Sequence, residues 1–396
     1  MKRIASLMTL WTTLFAIVFA GGIYAAYVRF TQGLGASTNL TDEFPWGIWV
    51  GFDVLCGVML AAGGFTLTAA VHIFNLEKYR PIVRPAVLTA FLGYILVVVA
   101  LMFDLGRPYR IWHPIIMWNP HSVMFEVGWC VTLYTTVLAL EFAPIVFERF
   151  KLERPIRIMR TISIPLVIAG VLLSTLHQSS LGSLYLIVPQ KLHPFWYTPL
   201  LPVFFFLSAI GIGLAMTIFE SSMSSKYFGR HLELPLLRGL GRALLVVLCI
   251  YSVLRFQDLY HRGVLPQVLG FSRESWFFLL ETILGLLIPI GLLAMRRFRE
   301  NAGGLYLASV LAVLGFITNR LNVGITGMES ASGVHYVPKW TELAVTFTIV
   351  GAGFAVFGLA AKYLPIFPDV KARAAVRKPA VETAKAAARD WSHVSS

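Results

Sequence analysis

The chain has 396 residues, of which 57% are hydrophobic and 13% charged, and its formal net charge is +13. Soluble domains carry roughly 25% charged residues, so this composition excludes a soluble globular protein. The apolar runs repeatedly reach the roughly 20 residues that a bilayer-spanning helix needs. They are continuous rather than alternating, which excludes a membrane β-barrel. The sequence therefore predicts an all-α membrane protein.

Ten transmembrane helices are predicted, and they form one polytopic transmembrane domain over residues 1–364. The first apolar run resembles a signal peptide, but it is long for one and no soluble domain follows it, so it is interpreted as the first helix. Residues 365–396 are rich in Ala, Lys and Arg and predict a disordered polar tail. In chain order, the predicted helices cover residues 6–28, 49–75, 85–106, 122–147, 161–188, 197–220, 236–258, 275–295, 303–325 and 341–364.

The distribution of Lys and Arg predicts the orientation of the chain. With the N-terminus inside, the inner segments hold 24 of these residues and the outer segments hold 9. Because cytoplasmic loops are enriched in Lys and Arg, both termini are predicted to be cytoplasmic, in a bacterial inner membrane. The net charge is then explained by anionic lipid at the cytoplasmic leaflet, without nucleic acid.

Ionisable residues inside a membrane span are costly, so each one is a candidate for function. Most of those in the predicted helices lie near the outer ends, and a few lie nearer the inside. This outer cluster predicts a site for a quinone, whose apolar body suits a membrane and whose carbonyls exchange protons. The outer residues are Asp53, Asp104, Arg107, Glu126, His177, Gln178, Arg255, Asp258, Glu281 and Arg320; the inner ones, which suit a proton path, are His72, Glu141 and Glu220.

The same residues also have structural interpretations. Asp104 and Arg107 are spaced for a local ion pair at a helix end. Glu126 and Glu281 have Arg255 and Arg320 as possible partners, and pairing would not exclude a proton role. His177 and Gln178 could be packing or interhelical hydrogen-bonding residues only.

The sequence contains few side chains that could bind a metal cofactor. Cys56, Cys130 and Cys249 each stand alone in an apolar run, so the chain is not expected to bind an iron–sulfur cluster or a structural zinc by itself. A transmembrane haem normally needs two axial histidines at one depth. His72 and His177 lie toward opposite faces, so no haem is expected in this chain.

A weak internal repeat predicts how the helices are grouped. Asp104 and Glu126 are 22 residues apart, and Asp258 and Glu281 are 23 apart. We interpret helices 2–5 and 6–9 as two four-helix bundles flanked by helices 1 and 10, with a chance match as the alternative. The first half has His177 where the second has Arg320, so the first bundle is the better candidate for quinone chemistry.

Several segments resemble the NrfD/PsrC family, most closely its HybB-like branch, which comprises membrane subunits of nickel–iron hydrogenases and related redox complexes. The resemblance runs from about residue 40 to residue 365. The segments that carry it are Phe-Pro-Trp-Gly-Ile-Trp at 44–49, Ser-Val-Met-Phe-Glu at 122–126, Leu-Glu-Phe-Ala-Pro at 140–144, His-Gln-Ser-Ser-Leu-Gly-Ser at 177–183 and Val-Leu-Arg-Phe at 253–256.

The resemblance implies a subunit that carries no cofactor of its own and uses menaquinone as an exchangeable substrate. A ferredoxin-like iron–sulfur subunit would dock on its periplasmic face, in a complex with a hydrogenase or a multihaem cytochrome c. Family members hold the quinone in the first bundle, which points to Asp53, Glu126 and His177. Some members are thought to translocate protons.

Two other functions compete with this interpretation. Duplicated bundles with membrane-embedded charges also suit a secondary transporter. A passive anchor for an extrinsic enzyme is the third possibility. The charges here cluster on one side rather than at the midplane, and an anchor would not need buried carboxylates beside a histidine, so the quinone subunit is favoured.

Overall fold

The structure is a computed structural model that describes residues 2–229 and 232–367, with side chains from residue 12 onward. Within these ranges every regular element is helical. Ten helices are long and apolar enough to cross a membrane, which confirms the predicted fold class and number. They are α1 (Lys2–Gln32), α2 (Trp49–His72), α3 (Arg80–Asp104), α4 (Val123–Arg149), α5 (Ser163–Leu186), α6 (Leu201–Tyr227), α7 (Leu234–His261), α8 (Arg273–Ala294), α9 (Ala302–Ser332) and α10 (Trp340–Tyr363).

Local sequence explains where several helices begin. Pro81, Pro202 and Pro235 occupy the first turns of α3, α6 and α7, where the missing N–H costs nothing. Ser122 caps α4 by accepting a hydrogen bond from the backbone N of Phe125. The cap of α8 is Ser272, three residues earlier than the Ser275 that the internal repeat equates with Ser122.

Three spanning helices contain a π-helical stretch. These are Trp49–Val54 in α2, Ile283–Leu287 in α8 and Asn322–Thr326 in α9. The first contains Asp53, the second follows Glu281 within two residues, and the third begins at Asn322. Such stretches rotate the side chains that follow them relative to a regular helix and are frequent at functional sites.

The helix contacts show one continuous core. Helices α2, α3, α4 and α5 contact one another in sequence and close a circuit through α5 and α2, and α6 to α9 do the same. However, α6 also packs against α2 and α5, and one apolar cluster runs from α2 and α3 to α8 and α9. The grouping into two separate bundles therefore stays a prediction.

Small residues permit the closest helix contacts. A Cβ on Gly213 of α6 would lie 2.9 Å from the backbone of Ala62 in α2. A Cβ on Gly315 of α9 would lie 1.9 Å from the Cα of Gly285 in α8. These positions need glycine because the two backbones touch there. Helix α10 packs against α1 and α3, so both flanking helices lie beside the first half of the chain.

Residues 368–396, most of the predicted polar tail, lie outside the described residues. The three residues before them, 365–367, come after the end of α10 and pack against other helices. Ile366 is fully buried beside Val87 and Ile145, and Arg84 donates a hydrogen bond to the carbonyl of Pro365 over 3.0 Å. The apolar Ile366 thus packs against the helices.

Candidate functional site

The centre of α5 holds a buried group of polar side chains without partners. His177 is completely buried, and neither of its ring nitrogens has a hydrogen-bond partner. Its ring centroid lies 5.7 Å from that of Tyr94 in α3, which in turn lies 4.7 Å from that of Tyr134 in α4. The hydroxyls of Tyr94, Tyr134 and Ser174 also lack partners. Each buried polar group left unpaired costs about 1–3 kcal/mol, so a group of this size is best explained by a ligand or water that it binds.

Gln178 and Ser180 lie within one turn of His177 on α5, and the predicted Glu126 contacts Ser180 from α4. Gln178 donates from Nε2 to the carbonyl of Val58 in α2 over 3.2 Å, and its Oε1 has no partner. Ser180, buried on α5, donates to a carboxylate oxygen of Glu126. Glu126 is exposed in the first turn of α4. Thus the exposed carboxylate of Glu126 contacts α5 at Ser180, three residues after the buried His177.

Asp53 lies in a different place. It is buried in α2 and accepts a hydrogen bond of 2.7 Å from Thr346 of α10. It lines a cavity of about 630 Å³ whose walls come from α2, α3, α6 and α10. Glu220 lines the same cavity and accepts a hydrogen bond of 2.7 Å from Thr89. Neither His177 nor Glu126 lines this cavity, so the predicted cluster is divided into two sites.

Asp104 and Arg107 do not form the ion pair that their spacing suggests. Arg107 is exposed, and no ion pair joins it to Asp104 in the described part of the chain. The positive charge that interacts with the Asp104 carboxyl is that of Arg29 in α1. Its guanidinium donates to the carbonyls of Phe103 and Leu105 over 2.5 and 2.6 Å, so it also closes the C-terminal end of α3.

The second polar cluster is built around a buried ion pair, in which only the Nε of Arg255 lacks a hydrogen-bond partner. Arg255 and Glu281 are both buried and paired, which matches the structural interpretation of Glu281. Arg255 also donates to the Tyr251 hydroxyl over 2.9 Å. The carboxylate of Glu281 accepts further hydrogen bonds from the side chains of Trp196, Asn319 and Asn322.

Arg320 and Asp258 have their own partners near this ion pair. Arg320 donates to Ser208 over 2.7 Å and stacks 3.4 Å from the ring centre of Phe205. Asp258 pairs with Arg262 over 2.7 Å and accepts from Thr198 over 2.8 Å. The cavity between these residues measures about 10 Å³, about the space that one water needs. The described residues of this region therefore leave no room for a quinone head.

The three residues of the predicted inner proton path do not meet. His72 is exposed at the end of α2, and Glu220 lies in the large cavity. Glu141 lies on the contact between α4 and α5, where a Cβ on Gly170 would come within 3.4 Å of its Oε1. Because Gly170 and Ser174 are one helical turn apart on α5, Glu141 lies on the same side of α5 as the His177 group.

Several buried polar residues were missed in the sequence. Tyr94, Tyr134 and Thr346 gave no signal, because tyrosine and threonine are ordinary residues in apolar helices. Glu342, fully buried at the start of α10, accepts hydrogen bonds from the backbone N of Asn39 over 3.1 Å and from the Tyr336 hydroxyl over 2.5 Å. Burial and these oxygens raise the pKa of Tyr336 far above its usual value. A carboxylate in the first turn of a helix does not look buried in sequence.

Metal ligands are not gathered anywhere in the described ranges. Residues 2–229 and 232–367 contain no group of three or more His, Cys, Asp or Glu side chains that could hold a metal ion. The three cysteines are free, with Cys56 and Cys130 buried.

Ten apolar helices around buried polar groups define a multi-pass integral membrane protein. Residues 36–330 match the family model described as "Polysulphide reductase, NrfD", and the chain belongs to this NrfD family. The match covers the region on which the sequence resemblance depends, so the predicted family is confirmed.

Known relatives cover nearly the whole chain. A protein of Nitratidesulfovibrio vulgaris, described only as "Protein", is 39% identical over 92% of this chain and 97% of its own length. The "Probable Ni/Fe-hydrogenase 2 b-type cytochrome subunit" of Escherichia coli is 34% identical over 87% of this chain and 88% of its own length. The "Menaquinone reductase, integral membrane subunit" of N. vulgaris is 30% identical over 91% of this chain and 92% of its own length.

Two of these relatives are named as subunits of oxidoreductase complexes, one of a hydrogenase and one of a menaquinone reductase. The chain is accordingly an integral membrane subunit of such a complex and not a complete enzyme alone. It takes part in electron transport together with extrinsic redox subunits.

Proposed function

We propose that this chain exchanges electrons between an extrinsic periplasmic partner and the menaquinone pool, and that the quinone head binds at the His177 group. The observation that carries the proposal is that His177 is fully buried with both ring nitrogens free, beside two tyrosine hydroxyls that are also free. The relative named as a menaquinone reductase subunit supports menaquinone as the quinone.

The chemistry of the group suits a quinone. Each quinone carbonyl accepts hydrogen bonds, and the Tyr94 and Tyr134 hydroxyls and an imidazole N–H are donors at this position. The hydroquinone carries hydroxyls that can donate to the free Oε1 of Gln178. Reduction of the quinone takes up two electrons and two protons, and His177 is the side chain at the site best suited to exchange a proton.

Side chains on α5 and α4 offer a route by which a proton can leave the site. The exposed carboxylate of Glu126 accepts from Ser180, one turn from His177. In our proposal Glu126 exchanges this proton with the periplasmic side, with Asp53, Asp104 and Arg107 outside the site itself. This assignment follows the orientation predicted from the Lys and Arg distribution, with both termini cytoplasmic and the chain in the inner membrane.

The electron donor or acceptor is proposed to be an iron–sulfur subunit of ferredoxin type, or a multihaem cytochrome c, in a complex that contains a hydrogenase or a related enzyme. The chain itself is proposed to bind neither haem nor an iron–sulfur cluster. The E. coli relative is named a b-type cytochrome subunit. In the described part of this chain, however, His177 is the one histidine that is buried, so no second histidine faces it as an axial ligand.

Proton translocation, if the complex performs it, would use the inner side of the same contact between α4 and α5. Glu141 and Ser174 lie along α4 and α5 on the inner side of His177, and the hydroxyl of Ser174 has no hydrogen-bond partner. His72 and Glu220 lie outside this line. We therefore propose Glu141, rather than His72 or Glu220, as the inner proton donor to the quinone.

The test is quinone reduction by the purified complex with the substitution His177→Ala. We expect loss of electron transfer to a menaquinone analogue, with unchanged activity of the extrinsic subunits toward a soluble dye. His121→Ala, an exposed histidine at the outer end of α4, is the matched control and should leave quinone reduction unchanged.

Two outcomes would contradict the proposal. Normal quinone reduction by the His177→Ala complex would remove the proposed site and favour a passive anchor. A haem absorption band that follows this chain when it is expressed alone would contradict the cofactor-free assignment. Tyr94→Phe, which removes only a hydroxyl, separates loss of a quinone contact from loss of folding.

A further inference from the structure

The large cavity between α2, α3, α6 and α10 is separate from the His177 group. Along their contact, a Cβ on Gly57 would lie 2.8 Å from Val97, and a Cβ on Gly93 would lie 2.8 Å from Ala61. These four residues all line the cavity, so α2 and α3 form a closed wall there. Tyr94, the next residue along α3, faces His177 on the other side of this wall.

We propose that this cavity binds one acyl chain of a membrane phospholipid, as a site distinct from the proposed quinone site. Its lining is almost entirely apolar, and Leu92, Leu96, Phe219 and Phe357 are typical of it. Cavities with such walls stay dry, so water is a poor occupant. At this depth, the molecules that surround the chain are lipids.

The shape of the cavity matches an acyl chain. Along α6 it extends from Met216 to Phe228, which is about 18 Å at about 1.5 Å per residue. One leaflet of the hydrocarbon core is about 15 Å thick. A chain that enters where α6 ends therefore fills a stretch about as long as one leaflet of the hydrocarbon core.

The end of the cavity at Phe228 has the chemistry of a headgroup site. Tyr227 and Phe228 are exposed at this rim, and the exposed Lys226 precedes them. Aromatic residues are enriched at the level of lipid headgroups. Lys226 supplies a positive charge for the phosphate. The mouth therefore offers an aromatic rim and a cation to an anionic headgroup.

The cavity offers little to a quinone head. A quinone carbonyl needs a hydrogen-bond donor, and the two threonine hydroxyls next to the cavity carboxylates, Thr89 and Thr346, already donate to Glu220 and Asp53. The contrast with the His177 group is direct, since there the donors are free. The isoprenoid tail of a quinone is thus the competing occupant that the experiment must distinguish.

The experiment uses native membranes that contain the whole complex. One sample receives phosphatidylglycerol with a diazirine at the middle of an acyl chain, and another receives a menaquinone analogue with a diazirine in its isoprenoid tail. After irradiation, labelled peptides are identified by mass spectrometry. We expect the acyl probe to label the cavity segments of α6 and α10 more strongly than Val246 and Val253, which are exposed on α7 and report ordinary lipid contact.

Substitutions then test whether this excess comes from the cavity. Val350→Trp places an indole into the cavity and should reduce labelling of its walls to the level of α7. Val356→Trp, on an exposed position of the same helix that does not line the cavity, should leave the excess unchanged. Leu92→Phe fills the cavity from the α3 wall and covers the case in which Val350→Trp does not fold.

Three results would overturn the proposal. The first is equal labelling of the cavity and of α7 by the acyl probe. The second is an excess of acyl labelling at the cavity that survives both Val350→Trp and Leu92→Phe. The third is labelling of the cavity by the isoprenoid probe in place of the acyl probe. Quinone reduction should be normal in the Val350→Trp complex. A failure of the proposed function in the His177→Ala complex is therefore distinguishable from a failure of this proposal.

Discussion

The buried ion pair between Arg255 and Glu281 allows a quantitative prediction. Both side chains are below a tenth exposed, so neither charge is solvated by water. Replacing Arg255 by Met leaves the Glu281 carboxylate with neutral donors from Trp196, Asn319 and Asn322 but without a counter-ion. Removing one partner of such a pair costs about 3–5 kcal/mol of the free energy of unfolding, because a charge stays buried and uncompensated.

Removing both charges should cost much less than the sum of the single losses. Glu281→Gln keeps a carbonyl oxygen for the three neutral donors, so Arg255→Met together with Glu281→Gln leaves no buried charge. The single losses should therefore not add, and the interaction energy of the double-mutant cycle should lie at about 0.5–3 kcal/mol.

The assay is denaturant unfolding of the purified chain in mixed micelles, followed by tryptophan fluorescence. The control is the pair Arg80 and Glu77, whose side chains are both more than half exposed. Arg80→Met should cost only about 0.2–1 kcal/mol. If Arg255→Met cost no more than Arg80→Met, or if the losses at Arg255 and Glu281 simply added, burial of the ion pair would not control its energy as argued.

Three further predictions concern packing and the outer loops. Gly315→Ala should lower the free energy of unfolding by about 1–3 kcal/mol, because its Cβ would overlap Gly285, and thermal unfolding measures this. Tyr336→Phe removes the hydroxyl that donates to Glu342 over 2.5 Å and accepts from the backbone of Ile48, at a cost of about 1–3 kcal/mol, measured by the same denaturant titration. Burial lowers the pKa of His193 below 6.5. The stability that this burial gives should be full above pH 6.5 and fall as the pH drops from there toward the lowered pKa. Thermal unfolding measured across this pH range should show a smaller loss of stability in His193→Asn.

Each of these has a control on the same kind of element. Gly291→Ala on α8 has open space around its Cβ and should be nearly neutral. Tyr109→Phe changes an exposed tyrosine and should leave stability unchanged. His121→Asn, at an exposed position, is the control for His193→Asn and should keep the wild-type stability. Equal effects in test and control variants would refute the corresponding prediction.

Length, apolarity and charge distribution were sufficient to predict the ten helices, because a bilayer imposes one length and one secondary structure on each span. Their polar residues were also visible, since charges are rare in such spans. The pairing of Glu281 with an arginine was predicted correctly as one alternative, because a buried carboxylate needs a cation and Arg255 lies within reach in the neighbouring helix.

The division of the polar residues between two sites could not be predicted. Depth along a helix follows from sequence position, but the direction in which a side chain points depends on helix rotation. Asp53 lies in a π-helical stretch and accepts from Thr346 of α10, whereas Gln178, next to His177, contacts α2 five residues further along, at Val58. The internal repeat also aligned Glu126 with Glu281 from sequence position alone. The repeat equates Ser122 with Ser275, but Ser122 caps α4 whereas the cap of α8 is Ser272, three residues before Ser275.

The π-helical stretches of α2, α8 and α9 have an evolutionary consequence. Each corresponds to one residue more than a regular α-helix would need over the same rise. Losing one residue there would restore regular helix geometry without shortening the span appreciably. The helical segments on either side of the deletion would keep their facing, and only the side chains within the former π-helical stretch would change face. In α2 such a change would turn Asp53 toward a different neighbour while leaving the fold in place. One-residue insertions and deletions are thus a route by which a chain of this architecture could exchange one internal site for another.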